Sequence, residues 1–305
     1  MTPVPVAVLG VGGIGGMLAA RTGALCVGTP RTVEAIRERG LTLTHDGTTT
    51  VARPEVAEHL ERPVSLLVVA VKAYDLDAAL ERVAPGALDA AVVLPLLNGL
   101  EHADALRARF ESACNTVSQA RPAVAAGSIG SMSALSPEPG VVVQGTPSPG
   151  RIAAASRDLD RDRLAAALEP LRVPGLALVL LDDEREVVWE KAARLAVLAA
   201  ATVAAARPVG TLRDDPSWGE RIRAALSEAV AVAAADGVSL DVADQWEKIE
   251  AMPGELTTSA ARDAAAGRPT ELDAITGSVV RAAARLRVEA PVLGALYKEA
   301  RCRAR

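Results

Sequence analysis

Aromatic side chains are scarce in this sequence of 305 residues, since Phe, Trp and Tyr together make up 2% of it. Proteins that bind single-stranded nucleic acid stack the bases on such rings. Duplex binders need a cationic surface, which a formal net charge of −5 does not supply. We interpret the basic residues 301–305 as a solvated tail. We therefore expect no nucleic-acid partner, and hydrophobic cores built mainly from Ala, Val and Leu.

Cysteine is also rare. Cys26, Cys114 and Cys302 lie far apart and form no metal-like spacing, and an odd number fits poorly with a disulfide-stapled secreted fold. The longest apolar stretch, near 192–206, contains Arg194 and is too short to cross a bilayer. We also see no targeting segment at the N-terminus. These features predict a cytoplasmic protein without a metal site and without a membrane segment.

Histidine is represented by three residues. His45, His59 and His102 have no Ser, Cys or second His at a spacing useful for catalysis. We predict that all three lie at the surface.

A glycine-rich motif follows an apolar run at the N-terminus. Gly10, Gly12 and Gly15 fit G-x-G-x-x-G, in which the glycines permit a tight turn, close approach to a pyrophosphate and close packing of a helix on a strand. The following helix points its free N–H groups at an anion. The alternative is an ordinary glycine-rich turn. The predicted cofactor-binding residues in this loop are Gly10, Gly12, Gly13, Ile14 and Gly15.

The end of the second predicted strand, Ala24–Val27, bears on the choice of dinucleotide. An acid there would bind the ribose 2′-hydroxyl of NAD(H), but the sequence continues Gly-Thr-Pro-Arg-Thr. Arg31 can pair with a 2′-phosphate, and Thr29 or Thr32 can donate to it. NADPH is therefore the predicted cofactor. The alternative is that Arg31 merely begins a solvated helix.

Two further apolar runs, 64–71 and 91–97, read as strands buried on both faces of a parallel sheet. Lys72 and Asn98 follow them directly. Ligands of open parallel sheets bind outside the carboxyl ends of the strands, so both residues are predicted to face the crevice that the glycine loop opens. Taken alone, such a lysine is usually solvated and Asn-Gly is usually a turn.

The chain changes character along its length. Short runs between 115 and 181 predict antiparallel strands and hairpins, whereas beyond 185 the strand signals vanish and helical patterns cover 186–206, 217–236, 242–249 and 281–298. We predict an α/β protein. An N-terminal Rossmann-type dinucleotide-binding domain spans residues 1–183, and an all-α C-terminal domain spans residues 184–305.

Motifs in both halves make the sequence resemble the ketopantoate reductase (2-dehydropantoate 2-reductase) family. Besides the glycine loop, they are Val71-Lys72-Ala73, Asn98-Gly99, Trp-x-Lys at 189–191, Ser-x-x-x-Asp at 259–263 and Gly-Arg-x-Thr-Glu-x-Asp-x-Ile-x-Gly at 267–277. The last motif is the most specific of them. The resemblance implies a nucleotide-binding domain joined to a helical domain, and the reduction of a 2-oxo acid by NADPH in the cleft between them.

The resemblance also implies roles for individual residues. Lys191 would be the catalytic general acid that donates to the carbonyl oxygen, and Glu271 would hold and balance it. Ser259 would bind the substrate carboxylate, with Asn98 and Lys72 on the nicotinamide and substrate side. This chemistry is reasonable, because hydride addition builds negative charge on an oxygen that a positioned cation relieves.

The sequence departs from the family where asparagines usually follow the lysine. Leu195 and Ala199 occupy the places four and eight residues after Lys191, and Val209 takes that of a further pocket asparagine. Loss of these amides favours a less polar substrate, since polar groups in a site discriminate by the hydrogen bonds they require. The opposing interpretation is that the substrate is unchanged and that Thr202 or nearby Arg207 replaces the missing amide contacts. Thr202 is accordingly predicted to bind substrate.

Alternatives to this assignment belong to other classes. One is another two-domain hydroxyacid or imine reductase, which would lack the motif at 267–277. Another is a non-catalytic NADP-binding protein, although retention of both Lys191 and Glu271 disfavours it. The partner is expected to be a small oxo acid or ketone. The Ala- and Leu-rich helical faces could pack on a second copy to form a homodimer, but core packing within one chain explains them equally well.

Overall fold

The computed structural model describes residues 4–113, 121–130, 132–145 and 150–304. In chain order its strands are β1 (Val4–Leu9), β2 (Leu25–Val27), β3 (Leu41–His45), β4 (Thr48–Ala52), β5 (Val56–Ala57), β6 (Val64–Val69), β7 (Val92–Pro95), β8 (Ala123–Val124), β9 (Ala126–Gly130), β10 (Ala134–Glu138), β11 (Val141–Gln144), β12 (Gly150–Ala155) and β13 (Leu176–Leu180).

Its α-helices are α1 (Gly13–Thr22), α2 (Pro30–Arg39), α3 (Leu76–Leu80), α4 (His102–Ala113), α5 (Arg161–Leu168), α6 (Glu184–Ala205), α7 (Val209–Arg213), α8 (Pro216–Ala235), α9 (Val242–Glu250), α10 (Ser259–Ala265), α11 (Ser278–Leu286) and α12 (Pro291–Arg303). Three short 3₁₀ turns, Ala73–Asp75, Pro85–Leu88 and Glu169–Leu171, and one π-helical turn, Asp273–Gly277, complete the described secondary structure.

The described residues divide into two compact units. The first contains those of Met1–Leu97 and His102–Val187, and the second contains Asn98–Glu101 and Val188–Arg305. The boundary between them falls inside α6, one turn after the helix begins. The short segment Asn98–Glu101 belongs with the helices, which sequence reasoning did not anticipate.

A six-stranded parallel sheet forms the centre of the first unit, in the order β5-β2-β1-β6-β7-β8. The chain passes from β1 to β2 on one side, whereas β6 pairs with β1 on the other. This reversal places a ligand crevice outside the carboxyl ends of β1 and β6. Leu66–Val69 are fully buried, as expected for a strand covered on both faces. The Rossmann-type prediction for this half is confirmed.

Two smaller sheets accompany it, one of β10-β11-β3-β4 and one of β13-β12-β9. Asp46 and Gly47 join β3 to β4 with φ of 47° and 71°, the left-handed geometry of a tight hairpin turn. The antiparallel expectation holds for β10 with β11 and for β9 with β12, but it is wrong for β12 with β13, which are parallel. Helix α5 connects those two strands, and parallel neighbours require such a crossover.

The core of the first unit is aliphatic, as the composition predicts. Val8, Leu18, Leu66, Val68 and Leu94 are each fully buried, and burial of such side chains contributes roughly 1.5–3 kcal/mol each. The same enclosure raises the pKa of the Cys26 thiol to about 12. This cysteine is therefore an inert core residue rather than a reactive one. Cys114 lies outside the described residues.

Within the described residues of the second unit, 98–101 and 188–304, the regular structure consists of helices. The predicted helix over 281–298 is in fact two, because α11 stops at Leu286, Arg287 takes a left-handed φ of 58° and Pro291 begins α12. Proline fits the first helical position, where its missing N–H costs nothing. In the described part of the chain, no helix has the length and apolarity to span a membrane.

Candidate active site

The glycine loop begins at the end of β1, where Gly10 has a φ of +93°. A Cβ at this position would lie 2.4 Å from Cγ1 of Val71 and 3.0 Å from the backbone of Ala70. The Gly10 N–H also donates to the carbonyl of Val27 at 3.0 Å, which ties the turn to β2. Only glycine fits both the conformation and the space.

The next glycines are needed for packing. A Cβ on Gly15 would lie 1.9 Å from the carbonyl oxygen of Gly10, and one on Gly13 would lie 2.1 Å from the carbonyl oxygen of Ala134. Ile14 is half-buried and packs against the core. Close packing thus explains the glycine at position 13 and encloses the side chain of Ile14. What these two residues can offer a ligand is their backbone N–H at the start of α1.

Gly12 differs from its neighbours. It is exposed, its φ is −85°, and a Cβ there would meet nothing within 4 Å. It caps α1 without a side-chain hydrogen bond, and the first turn of that ten-residue helix contains no acid. The open N–H groups and positive dipole end suit an anion that approaches the backbone closely. The loop thus fits the pyrophosphate of a dinucleotide.

The turn after β2 carries the residues predicted to select the cofactor. Thr29 is the N-cap of α2, and its hydroxyl lies 3.1 Å from the hydroxyl of Thr32. Arg31 is exposed in the first helical turn, which contains no acid. Two hydroxyls and a guanidinium at a helix start form a plausible receptor for a phosphate. Lys72 is half-buried just beyond the end of β6, before the 3₁₀ turn Ala73–Asp75.

The helical unit gathers the residues of the predicted chemistry. Nζ of Lys191 donates to Oδ1 of Asn98 at 2.9 Å, and Nδ2 of Asn98 lies 3.5 Å from Oε2 of Glu271. Glu271 is 4% exposed, so its carboxylate is buried. One amide thus accepts from the amine and donates toward the acid. Lys191 and Glu271 follow Asn98 by 93 and 173 positions in the sequence, and the structure brings the three side chains together.

The amine of Lys191 is electrostatically perturbed. Burial, which disfavours the charged form, lowers its pKa from 10.5 to about 8. The charge of Glu271 opposes this lowering, and the charge of Arg194 adds to it. An acid with a pKa close to neutrality is well matched to proton transfer at physiological pH.

The positions that lack the expected asparagines are not equivalent in the structure. Ala199 and Val209 are 0% exposed and belong to the core, whereas Leu195 is half-exposed one turn after Lys191. Of these three positions, Leu195 is therefore the one that can favour a less polar substrate. Periodicity alone could not separate Leu195 from Ala199, because residues 188–203 of α6 are buried on nearly all sides.

Thr202 requires a correction. It is 0% exposed, and its hydroxyl contacts the Leu198 carbonyl at 2.7 Å and the Thr258 hydroxyl at 2.8 Å. This buried pair joins α6 to the N-cap of α10, so Thr202 has a structural role here rather than the substrate-binding role we predicted. Ser259 is half-buried as the first residue of α10. Arg207 pairs with Asp215 at 3.2 Å.

Several features were missed from the sequence. His102, the first residue of α4, is 6% exposed and not the surface residue we predicted. The motif at 267–277 contains the π-helical turn Asp273–Gly277, and such turns are frequent at functional sites. A Cβ on Gly99 would lie 2.0 Å from the carbonyl oxygen of Ala274 in this turn. The closely spaced polar residues of this motif were the feature of the sequence that could have indicated an irregular helical turn.

The glycine turn and the Lys191, Asn98 and Glu271 set define a class, the nicotinamide dinucleotide-dependent oxidoreductases. Comparison with known proteins gives the family. Residues 6–157 match the family described as "Ketopantoate reductase PanE/ApbA", and residues 183–303 match "Ketopantoate reductase PanE/ApbA C terminal". The chain belongs to the ketopantoate reductase family.

Individual relatives agree with this assignment. The chain is 31% identical over 269 residues to a 2-dehydropantoate 2-reductase of Halobacterium salinarum, covering 86% of this chain and 84% of the relative. A ketopantoate reductase of Ralstonia eutropha JMP134 superposes with a TM-score of 0.82 at 26% identity over 98% of both chains. A D-mandelate dehydrogenase solved with NADH and anilino(oxo)acetate has a TM-score of 0.82 at 21% identity over 98% of both chains, which shows a shared fold.

Proposed function

We propose that this protein uses NADPH to reduce a 2-oxo acid to a 2-hydroxy acid, as a 2-dehydropantoate 2-reductase that converts ketopantoate to pantoate for pantothenate synthesis. The observation that carries the proposal is the hydrogen bond from Lys191 to Asn98 beside the buried carboxylate of Glu271. It fixes a cation of lowered pKa at one point in the helical unit.

In the proposed reaction, Lys191 is the general acid. The glycine loop and Lys72 would hold the reduced dinucleotide, whose nicotinamide would supply the hydride to the carbonyl carbon when bound. The ammonium of Lys191 donates a proton to the oxygen as negative charge develops there, so that a hydroxyl forms and a neutral amine remains until solvent reprotonates it. Asn98 orients the amine through its carbonyl oxygen. Glu271 favours the protonated form, because its negative charge raises the pKa of Lys191.

The preference for NADPH rests on the turn after β2. Arg31 is exposed there beside the hydroxyls of Thr29 and Thr32, and no acid lies in the first turn of α2. A guanidinium with nearby hydroxyls favours a 2′-phosphate, whereas an acid would favour a free 2′-hydroxyl. Lys72 at the end of β6 and the backbone of the glycine loop complete the cofactor-binding set.

A second candidate is the same reaction on a less polar substrate. Leu195 presents carbon atoms to solvent one turn beyond Lys191, so a substrate hydroxyl near it would find no partner in that side chain. A D-mandelate dehydrogenase of the same fold was solved with NADH and anilino(oxo)acetate. Aryl 2-oxo acids and NADH therefore belong in the substrate and cofactor panels.

Oxidation of NADPH over a panel of 2-oxo acids tests the proposal. The panel contains ketopantoate, its analogue without the hydroxyl group, aryl 2-oxo acids and simple ketones. A kcat/KM that is highest for ketopantoate supports the pantoate assignment, and one that is highest for the deoxy analogue supports the less polar substrate. Failure to reduce any 2-oxo acid would refute both.

A paired substitution tests the role of Lys191. Lys191→Ala should lower kcat by roughly 10²–10⁴-fold, the usual contribution of a positioned proton donor, and should leave NADPH affinity within about twofold by fluorescence titration. Lys298→Ala, an exposed lysine of α12, is the matched control and should change neither value. Unchanged turnover in Lys191→Ala would remove this residue from the mechanism.

A further inference from the structure

Over residues 188–203 of α6, one side of the helix is partly exposed and the rest is enclosed. Within residues 188–203 the side chains that reach solvent are Glu190, Lys191, Arg194 and Leu195, and all others are buried. These four are neighbours, because residues three and four apart lie on the same side of a helix. A ligand bound at Lys191 therefore lies within about one helical turn of a second cation.

The guanidinium of Arg194 is held at one nitrogen only. Its Nη1 donates to the carbonyl of Glu190 at 2.9 Å and to Oε1 of Gln245, a residue of α9 that is 1% exposed. Nε and Nη2 form no hydrogen bond with any residue of the described chain. These two nitrogens form the planar edge that binds a carboxylate through two parallel hydrogen bonds.

The acidic side chains near Arg194 are shared with another cation. Nζ of Lys248 lies 2.8 Å from Oδ2 of Asp244 and 4.0 Å from Oε1 of Glu190. Burial lowers the pKa of Arg194, and the charges of Glu190 and Asp244 oppose that lowering. The charge of Arg194 in turn lowers the pKa of the Lys191 amine. Two neighbouring cations that repel each other favour an anion between them.

From this geometry we propose that Arg194 binds the carboxylate of the substrate while Lys191 protonates its carbonyl oxygen. The inference rests on the proposed reduction of a 2-oxo acid. Such an acid presents its carbonyl and carboxylate oxygens on adjacent carbons, so two long cationic side chains one turn apart can converge on it. Ser259, predicted to bind the carboxylate, would then share it with Arg194. A substrate without the carboxylate would be reduced poorly.

Comparison of a 2-oxo acid with its primary amide tests this role, since the amide keeps the ketone and removes the charge. Arg194→Gln should lower kcat/KM for the acid by about 10- to 100-fold, mostly through KM, because a charge-assisted pair is lost. The amide should change by less than about twofold. Arg194→Lys retains the charge without the planar edge and should give an intermediate value for the acid.

Controls separate this role from a structural one. Arg194→Gln keeps a polar side chain on that side of α6, and the thermal midpoint of unfolding checks that the variant folds. Arg221→Gln changes an arginine of α8 that pairs with Glu299, and it should leave both substrates unaffected. Equal losses for acid and amide in Arg194→Gln would overturn the inference.

A failure of the proposed function would be distinguishable from a failure of this inference. If the wild-type protein reduces no 2-oxo acid, the proposed reaction is refuted, and binding alone then tests Arg194. Oxamate, an unreactive mimic of a 2-oxo acid, is titrated into the NADPH-bound protein by calorimetry. Loss of at least tenfold in affinity in Arg194→Gln supports a carboxylate site, and equal affinity in both proteins overturns it.

Discussion

The pH dependence of the reduction should follow the amine of Lys191. With a pKa of about 8, this group is mostly protonated at pH 7 and about one tenth protonated at pH 9. An ordinary lysine, with a pKa near 10.4, would remain protonated throughout that range. Because the reduction consumes a proton from the ammonium, kcat/KM should fall roughly tenfold between pH 7 and pH 9. The reverse oxidation needs the neutral amine, so its kcat/KM should rise through the same interval.

Two substitutions should move this profile in opposite directions. Glu271→Gln removes the negative charge that raises the pKa of Lys191, so the decline in the reduction should begin at lower pH. Arg194→Gln removes the positive charge that lowers the same pKa, so the decline should begin at higher pH. Both replacements introduce a neutral amide that can still form hydrogen bonds. Opposite shifts would be difficult to explain by a general loss of stability.

The assay follows NADPH oxidation with the substrate well below KM, since kcat/KM reports ionisations of the free enzyme and free substrate. Buffers of constant ionic strength span pH 6 to 10, and NADPH binding is measured at each pH by fluorescence. A profile for the reduction that is flat from pH 7 to pH 9.5 would refute the perturbed amine. Shifts of the same sign in the two variants would refute the assigned electrostatic roles.

Three further predictions concern other parts of the molecule. Gly12→Ala should fold normally and lose NADPH affinity in a fluorescence titration. Gly15→Ala should fail to fold or should melt well below the wild type, since its Cβ would lie 1.9 Å from a carbonyl oxygen. Equal behaviour of the two variants would contradict this prediction. Arg31→Ala should lower kcat/KM with NADPH by about 10- to 100-fold and leave NADH turnover unchanged, and an equal loss with both cofactors would count against a 2′-phosphate contact. Arg107→Met should destabilise the first unit by about 2–4 kcal/mol in chemical denaturation, because Arg107 hydrogen-bonds to Asp158 at 3.0 Å and to Glu184; a change below 0.5 kcal/mol would show that the ion pairs contribute little.

The sheet of the first unit could be predicted because its signals are local. Apolar runs without charges, each ending in a polar residue, indicate buried parallel strands, and the structure has them at β6 and β7. The pairing of β12 with β13 was missed because it depends on α5, whose pattern over Arg161–Leu168 is weak beside the surrounding Gly- and Pro-rich segments. Partner choice in a sheet is a property of the connection as much as of the strands.

The site was predicted in part. Lys191, Asn98 and Glu271 were named from motifs, and the structure brings them together. Arg194 was seen only as an interruption of an apolar stretch, because the sequence does not show which sides of α6 are covered. Thr202 was misassigned for the same reason. The cytoplasmic location, the homodimer and the choice of NADPH stay predictions.

The membership of Asn98–Glu101 in the helical unit has a consequence for dissecting the chain. A fragment that starts at residue 184 would retain Lys191 but not the oxygen to which it donates, and it would leave Arg281 without Glu101, which lies 2.7 Å away in the intact protein. The helical half is thus completed by four residues encoded almost a hundred positions upstream. Co-expressing the two halves, rather than purifying the second alone, is the way to recover its native lysine environment.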